Sequence, residues 1–318
     1  MRKPVSYPTP SYTDPRDRRV VSMVRKADRA SPRAVNLLGV PFDGAVLGRK
    51  GAAEGPSAIR RAMRFFSNYN PEFGFDLLKA RIVDLGDVVV RSPDVRKVHA
   101  DVENEVGGAL SKSSLLVVLG GDNSVSLPSI TACSEKFGKV GLVVFDSHYD
   151  LREPMNGRPT SGSSYGTAVR TLEGLDGSRL VEIGIHGFLN SRSYADEARR
   201  LGTTIFTAKG VREAGTLAVA RKAYGIASRG ADVVYVSVDM DCVDVSSVSG
   251  VSAPSAGGID ARELFEMLYF LGTGRKVVCA DIVELAPPLD PTGKSEVVAA
   301  TALVYMIAGY TARSGRPS

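Results

Sequence analysis

Short apolar, β-branched runs recur along the chain from residue 34 onward. They read AVNLLGV from Ala34, RIVDLGD from Arg81, SLLVVLG from Ser114, VGLVVFD from Val140, LVEIGIH from Leu180, TTIFT from Thr203, DVVYVSVD from Asp232 and KVVCADIVE from Lys276. Most are continuously apolar rather than alternating, as in strands covered on both faces. Between them lie stretches with helical spacing, including PSAIRRAMRFFSN, DVRKVHADVENEVGGALSK, SYADEARRLG, LAVARKAYGIASRG and DARELFEMLYFLG, the last opening on an Asp able to cap its first turn. Strands alternating with helices pair in parallel through right-handed crossovers. The pattern predicts an α/β fold: a three-layer α/β/α sandwich around a central, mainly parallel sheet of about eight strands, formed as one domain over residues 34–318.

Residues 1–33 break this pattern. Rich in Pro, Ser, Arg and Asp, they read as a basic N-terminal arm lying outside the main sheet. The arm holds much of a mild positive excess, 40 Lys and Arg against 35 Asp and Glu for a formal charge of +5. No basic stripe interleaved with aromatics follows in the body, so no nucleic-acid partner is expected. Cys133, Cys242 and Cys279 are far apart and make no CxxC or Cys/His cluster, which suggests neither a disulfide framework nor structural zinc and fits a reducing compartment. No apolar run reaches the roughly 18 residues of a membrane span, and MRKPVSYPTPSYTDP lacks the apolar centre of a signal peptide. The expectation is a cytoplasmic protein with no membrane partner.

Ligands of an open parallel sheet gather beyond the carboxyl ends of its strands. The residues that follow the apolar runs here are unusually acidic. SLLVVLG is followed by Gly121, Asp122, Asn123 and Ser124, VGLVVFD ends on Asp146 and continues to His148, Asp150 and Arg152, LVEIGI leads to His186, DVVYVSVD gives Asp239 and Asp241, and VVCADIVE ends on Glu284. In an extended chain the alternate positions Asp146, His148 and Asp150 aim to one side, and Asp239 and Asp241 repeat the spacing. Four carboxylates converging with one imidazole repel one another strongly unless a cation lies among them. Oxygen-dominated ligation with one imidazole suits Mn²⁺ or a similar hard ion, and two adjacent ions would allow a shared carboxylate and a hydroxide nucleophile, hence hydrolysis. Taken singly, each residue has a plainer reading: SVDMD as a cap, His186 and Glu284 as structural residues. His99, inside a helical segment, reads as a surface residue.

These residues resemble the ureohydrolase superfamily of arginases, agmatinases and formimidoylglutamases. GVPFDGAVLGRKGAAEGPSAIR is similar to its N-terminal substrate-loop region, GGDNS to its GGDHS, FDSHYD to its DAHxD, SVDMDCVD to its SxDxDxxDP, and DIVELAPPLD to its closing segment around an essential Glu. The resemblance implies a centre of two Mn²⁺ on Asn123, Asp146, His148, Asp150, Asp239 and Asp241, with Asp146 and Asp239 bridging and Glu284 and Asp150 catalytic. Asn123 stands where the family usually has His, which implies one weaker ion. Tyr165 lies near the place of the family's proton-shuttling loop His. DLR after the metal motif, the TSG loop and IGIHGFLNSRSYADEARRLG are closest to the formimidoylglutamase branch, which implies hydrolysis of N-formimidoyl-L-glutamate to L-glutamate and formamide. The alternatives are an agmatinase, arginase or guanidino-acid amidinohydrolase releasing urea, and a non-catalytic homologue. A dicarboxylate substrate needs donors at the mouth, for which Arg152, Ser161, Gly162 and Asn190 are candidates, with Ser191 and Arg192 beyond. The resemblance further implies a small amidine or guanidino substrate and a homo-trimer or hexamer.

Overall fold

In the computed structural model, which describes residues 2–7 and 14–314, each of the eight apolar runs forms a strand. They are β1 (Val35–Gly39), β2 (Ile82–Val88), β3 (Leu115–Leu119), β4 (Val140–Phe145), β5 (Leu175–Ile185), β6 (Thr204–Thr207), β7 (Val233–Asp239) and β8 (Val277–Val283). All pair in parallel, in the order β2-β1-β3-β8-β7-β4-β5-β6. β5 begins five residues before the run read from Leu180, because Leu175 pairs with Val140 ahead of a register shift.

Nine α-helices are described, α1 (Gly55–Ala62), α2 (Val95–Ala109), α3 (Ser126–Phe137), α4 (Ser164–Thr171), α5 (Arg192–Leu201), α6 (Ala208–Ala214), α7 (Thr216–Ser228), α8 (Ala261–Gly272) and α9 (Lys294–Ser314). Helices α2, α3 and α4 cover one face of the sheet, while α1, α7, α8 and α9 cover the other. Side chains of a strand alternate between those layers, so Val234, Val236 and Val238 of β7 enter one core and Val233 and Tyr235 the other. Two covered faces explain why the runs carry no polar alternation.

The N-terminal segment corrects one expectation. Val24–Lys26 pairs in parallel with the first half of β2, and Arg2–Lys3 pairs antiparallel with its second half, so parts of the arm complete the sheet edge as its ninth and tenth strands. An open edge strand presents unpaired backbone groups, and these short pieces cover it. Residues 1 and 8–13 of the arm and 315–318 of the domain lie outside the described residues. A second correction concerns α9. By length and composition its Lys294–Arg313 stretch is apolar enough to cross a membrane, yet 56% of that window is buried within the fold, where it packs on α1 and α8. Its apolar character is that of a core helix.

One ion-pair network ties the arm to the body. Arg60 of α1, 1% exposed, donates to both oxygens of Asp84 at 2.7 and 3.0 Å and to Asp87 at 2.6 Å, while the Tyr7 hydroxyl donates to Asp84. Removing one partner of a buried pair strands the other charge. Arg60→Met is therefore expected to destabilise the fold by about 3–5 kcal/mol, read as a lowered guanidinium midpoint. An unchanged midpoint would contradict the assigned weight of this network.

Candidate metal centre

The sheet order brings together what the sequence separates. Strands β3, β8, β7 and β4 are neighbours, and their carboxyl ends deliver Asn123, Glu284, Asp239 with Asp241, and Asp146 with His148 and Asp150, respectively. Registers Val238 with Phe145 and Asp239 with Val283 set Asp146, Asp239 and Glu284 at one level. The turn after β3 requires Gly121, since a Cβ there would lie 1.7 Å from the Phe42 carbonyl oxygen. Asp122 fastens the same crossing by accepting from the Ala45 backbone N–H at 2.8 Å.

Ligand atoms of Asp146, His148 and Asp241 lie within 4.8 Å of one another, and so do those of Asp146, Asp150 and Asp239. Asp146 belongs to both groups, which is the arrangement two ions sharing a carboxylate need. The donors are fixed from behind. Asp146 Oδ1 accepts from the His148 backbone N–H at 2.6 Å, Asp239 Oδ1 from the Asp241 N–H at 2.9 Å, and Asp241 Oδ1 from the Ser147 hydroxyl at 2.8 Å. Glu284 Oε1 accepts from the Asn123 N–H at 2.8 Å. Asp146 Oδ2 and Glu284 Oε2 are buried without a hydrogen-bond partner. Orphaned buried carboxylate oxygens are costly; a cation satisfies that of Asp146, which belongs to both ligand groups, and leaves that of Glu284 facing the space above them.

The electrostatics agree. Burial and then the neighbouring acids push Asp146, Asp239 and Glu284 well above the usual carboxylate range, and burial raises Asp150 to about 6. Burial alone would lower His148, but hydrogen bonds and charge from Asp146 and Asp241 outweigh it and push the ring up to about 12. Asp241 alone is held low, His148 and Ser147 overcoming its burial. These groups cannot all ionise side by side unaided, and the oxygen-rich donor set with one imidazole fits manganese.

Two of the clustered acids sit on strained backbone. Asp150 has φ +48° and Glu284 φ +63°, and the only other non-glycine residues at positive φ among those described are Arg33 and Asn156. Such conformations cost free energy and gather at functional sites. No pattern in the sequence marks them.

A cavity of about 120 Å³ opens over the cluster, with His148, Asp150, Asp239, Asp241 and Glu284 at its base and Leu47, Arg152, Ser161 and Gly162 among its walls. Arg152 is exposed and lies over the Tyr194 ring, 5.4 Å from its centroid. Gly162 lets it pass, because a Cβ there would meet Arg152 Cδ at 2.9 Å. Asn190 does not face this cavity. Its amide braces the metal loop instead, accepting from the Tyr149 N–H at 3.1 Å and donating to the Ser147 carbonyl at 2.8 Å. Ser191 caps α5 and Arg192 pairs with Asp196, so neither serves the opening.

Two further expectations change, and the structural reading of His186 holds. Tyr165 is fully buried, its hydroxyl between Ser237 Oγ at 2.9 Å and the Asn123 amide at 3.1 Å, and burial pushes its pKa well above the ordinary value. It neither reaches the cavity nor exchanges protons near neutrality. His99 is 8% exposed rather than a surface residue, with Nε2 3.3 Å from Ser124 Oγ, because α2 turns it towards the turn after β3. His186 is satisfied by the Gly184 carbonyl and Ser255 Oγ, each at 2.6 Å, and stays structural. Sequence reasoning missed Ser147 and Asp281, both inside or beside apolar strands, and Glu182 of β5, whose buried carboxyl has no partner for either oxygen.

The carboxyls raised by burial hold protons in the fold that the unfolded chain has already lost, so ion-free stability falls as pH climbs between the two values. For Asp150 that window runs from about 4 to about 6. Bound Mn²⁺ cancels the repulsion, so the gap in melting temperature between manganese-loaded and EDTA-treated protein should widen as pH rises through about 6. A gap independent of pH would contradict this electrostatic reading.

Comparison with known proteins agrees with this geometry. The family model described as the arginase family matches residues 33–309. A formimidoylglutamase of Halobacterium salinarum is 36% identical over 310 residues, covering 95% of this chain and 97% of that one. The crystal structure of formimidoylglutamase from Bacillus subtilis superposes with a TM-score of 0.89 at 28% identity, over 98% of this chain and 96% of that one. The crystal structure of Trypanosoma cruzi formiminoglutamase with Mn²⁺₂ gives 0.85 at 28% identity, over 95% and 100%. With its acidic strand ends, shared Asp146 and full-length match, the chain belongs to the arginase family.

Proposed function

We propose that the chain hydrolyses N-formimidoyl-L-glutamate to L-glutamate and formamide at a centre of two Mn²⁺ ions held by Asn123, Asp146, His148, Asp150, Asp239 and Asp241. The observation that carries the metal centre is the pair of ligand groups sharing Asp146. When bound, the ions supply positive charge that polarises the amidine and lowers the pKa of water towards neutrality. Substrate choice rests on the wall of the cavity, whose one charged residue above the acidic base is Arg152. A guanidinium fork there suits a carboxylate and repels the cation agmatine.

Glu284, anchored through Oε1 by the Asn123 N–H, keeps Oε2 free to accept from the amidine N–H groups and hold the carbon over the cluster. Asp150, half-buried beside the cluster, takes a proton from the attacking water and passes it to the leaving nitrogen, which departs as the glutamate amine. A cytoplasmic setting belongs to the same reading, supported by three buried free cysteines. So does a trimeric or hexameric assembly, supported by the family relationship.

Released products decide the reaction. Formamide and glutamate should appear from formimidoylglutamate with added Mn²⁺, and urea from agmatine or arginine would overturn the substrate. Loss of the charged clamp in Arg152→Ala should raise KM roughly tenfold or more, about 1.5–3 kcal/mol, with little change in kcat. Glu284→Gln should lower kcat by about 10²-fold or more. An Arg152 variant with unchanged KM would remove the clamp from the account.

A further inference from the structure

The Asn123 side chain closes a buried chain of hydroxyl groups that ends on Asp281. Asp281 of β8 sits beside Ser237 of β7 in the sheet register, one layer beneath the metal level. Its carboxylate lies 2.7 Å from Ser126 Oγ, 2.6 Å from the Tyr235 hydroxyl and 2.6 Å from Ser237 Oγ. Ser237 Oγ lies 2.9 Å from the Tyr165 hydroxyl. Ser126 Oγ and the Tyr165 hydroxyl converge, at 2.8 and 3.1 Å, on one terminal atom of the Asn123 amide. The other terminal atom lies 2.5 Å from Asp150 Oδ2.

Hydrogens, not shape, decide which amide atom faces which way, since oxygen and nitrogen are nearly the same size. Each hydroxyl carries one hydrogen and an ionised carboxylate carries none. Ser126, Tyr235 and Ser237 must therefore each direct their hydrogen to Asp281. Ser237 then has only lone pairs for Tyr165, so the Tyr165 hydrogen goes to Ser237. Neither Ser126 nor Tyr165 retains a hydrogen for Asn123. The six contacts are matched by four hydroxyl hydrogens and two more, and an amide NH₂ on that side supplies those two. With Oδ1 there instead, as the structure places it, two contacts have no hydrogen between them. A proton on Asp281 repairs only one.

We propose that the chain rooted at Asp281 fixes the Asn123 amide with its nitrogen towards Ser126 and Tyr165 and its oxygen towards Asp150, making Asp281, Ser126, Ser237 and Tyr165 positioning residues for a metal ligand. The amide oxygen then stands 2.5 Å from a carboxylate oxygen, a pair that repels unless both face a cation. Asn, unlike Asp, meets the hydroxyl side with donors while offering an acceptor to the ion. The consequence for the ion and the close approach of the amide oxygen to Asp150 rest on the metal reading above, whereas the demand for two donors on the other side of the amide comes from the hydroxyl chain itself.

A joint neutron and X-ray structure of the deuterated, manganese-loaded full chain reads the orientation directly. Two deuterons should lie on the Asn123 atom that faces Ser126 and Tyr165, and deuterons facing Asp150 would overturn the inference. Manganese titration followed by electron paramagnetic resonance reads the consequence. Asp281→Asn should weaken one of the two ions roughly 10- to 100-fold, replacing the exchange-coupled signal with that of isolated Mn²⁺. Because that buried change could prevent folding, Tyr165→Phe serves as the milder variant: it leaves Asn123 a single acceptor and should shift the same signal in the same direction. Parent-like binding of both ions in either folded variant would contradict the positioning role. A parent chain that takes up no Mn²⁺ would instead overturn the metal reading, and the neutron map separates the two failures.

Discussion

Repulsion among buried carboxylates is the constraint to which the rest of this structure answers. Asp146, Asp239, Asp241 and Glu284 are almost fully buried at one edge of the sheet, with Asp150 half-buried beside them, and one imidazole is their only close cationic partner in the cluster. A protein of ordinary marginal stability does not keep such a group for packing. It persists because the fold delivers the acids from four neighbouring strands whose pairing is secured elsewhere, by two apolar layers and a hydrogen-bonded ladder. The stability of the scaffold and the instability of the ion-free site are thus held on the same strands, one at their middles and the other at their ends.

The strained residues make the same point. Asp150 and Glu284 adopt left-handed backbone, which a non-glycine residue enters only when its surroundings hold it there. Glu284 is held by its own N–H on the Gly121 carbonyl and its carboxylate on the Asn123 N–H. Asp150 is held by its carbonyl accepting from the Gly166 N–H at 3.1 Å. Strain, burial and charge coincide at the residues assigned to chemistry.

Much of this was legible in the sequence, for identifiable reasons. Continuous apolar runs mark strands buried on both faces, so the eight parallel strands of the main sheet were found, and the polar residues closing those runs pointed to the site edge. The misses have equally specific causes. The arm's short strands carry no run long enough to show a period, and they form because β2 offers an open edge. α9 reads as nothing but a long apolar stretch broken by few charges, and only its packing between α1 and α8 shows what it covers. Asn190 and Tyr165 lie in segments correctly placed near the site, but periodicity says nothing of side-chain direction in loops and caps. One turned to brace the metal loop and the other into the core. Asp281 was hidden because a single polar residue within VVCADIV does not alter the apolar pattern of a strand.

The central claim is that these acids share their charge with bound ions rather than with protons. It is tested most directly by calorimetric titration of EDTA-stripped protein with Mn²⁺ at about pH 7 in buffers of different ionisation enthalpy, which counts both ions bound and protons released. The account predicts two ions per chain and net release of at least about one proton, since ligands whose pKa values are raised must deprotonate to bind. Binding without proton release, or no binding at all, would contradict it.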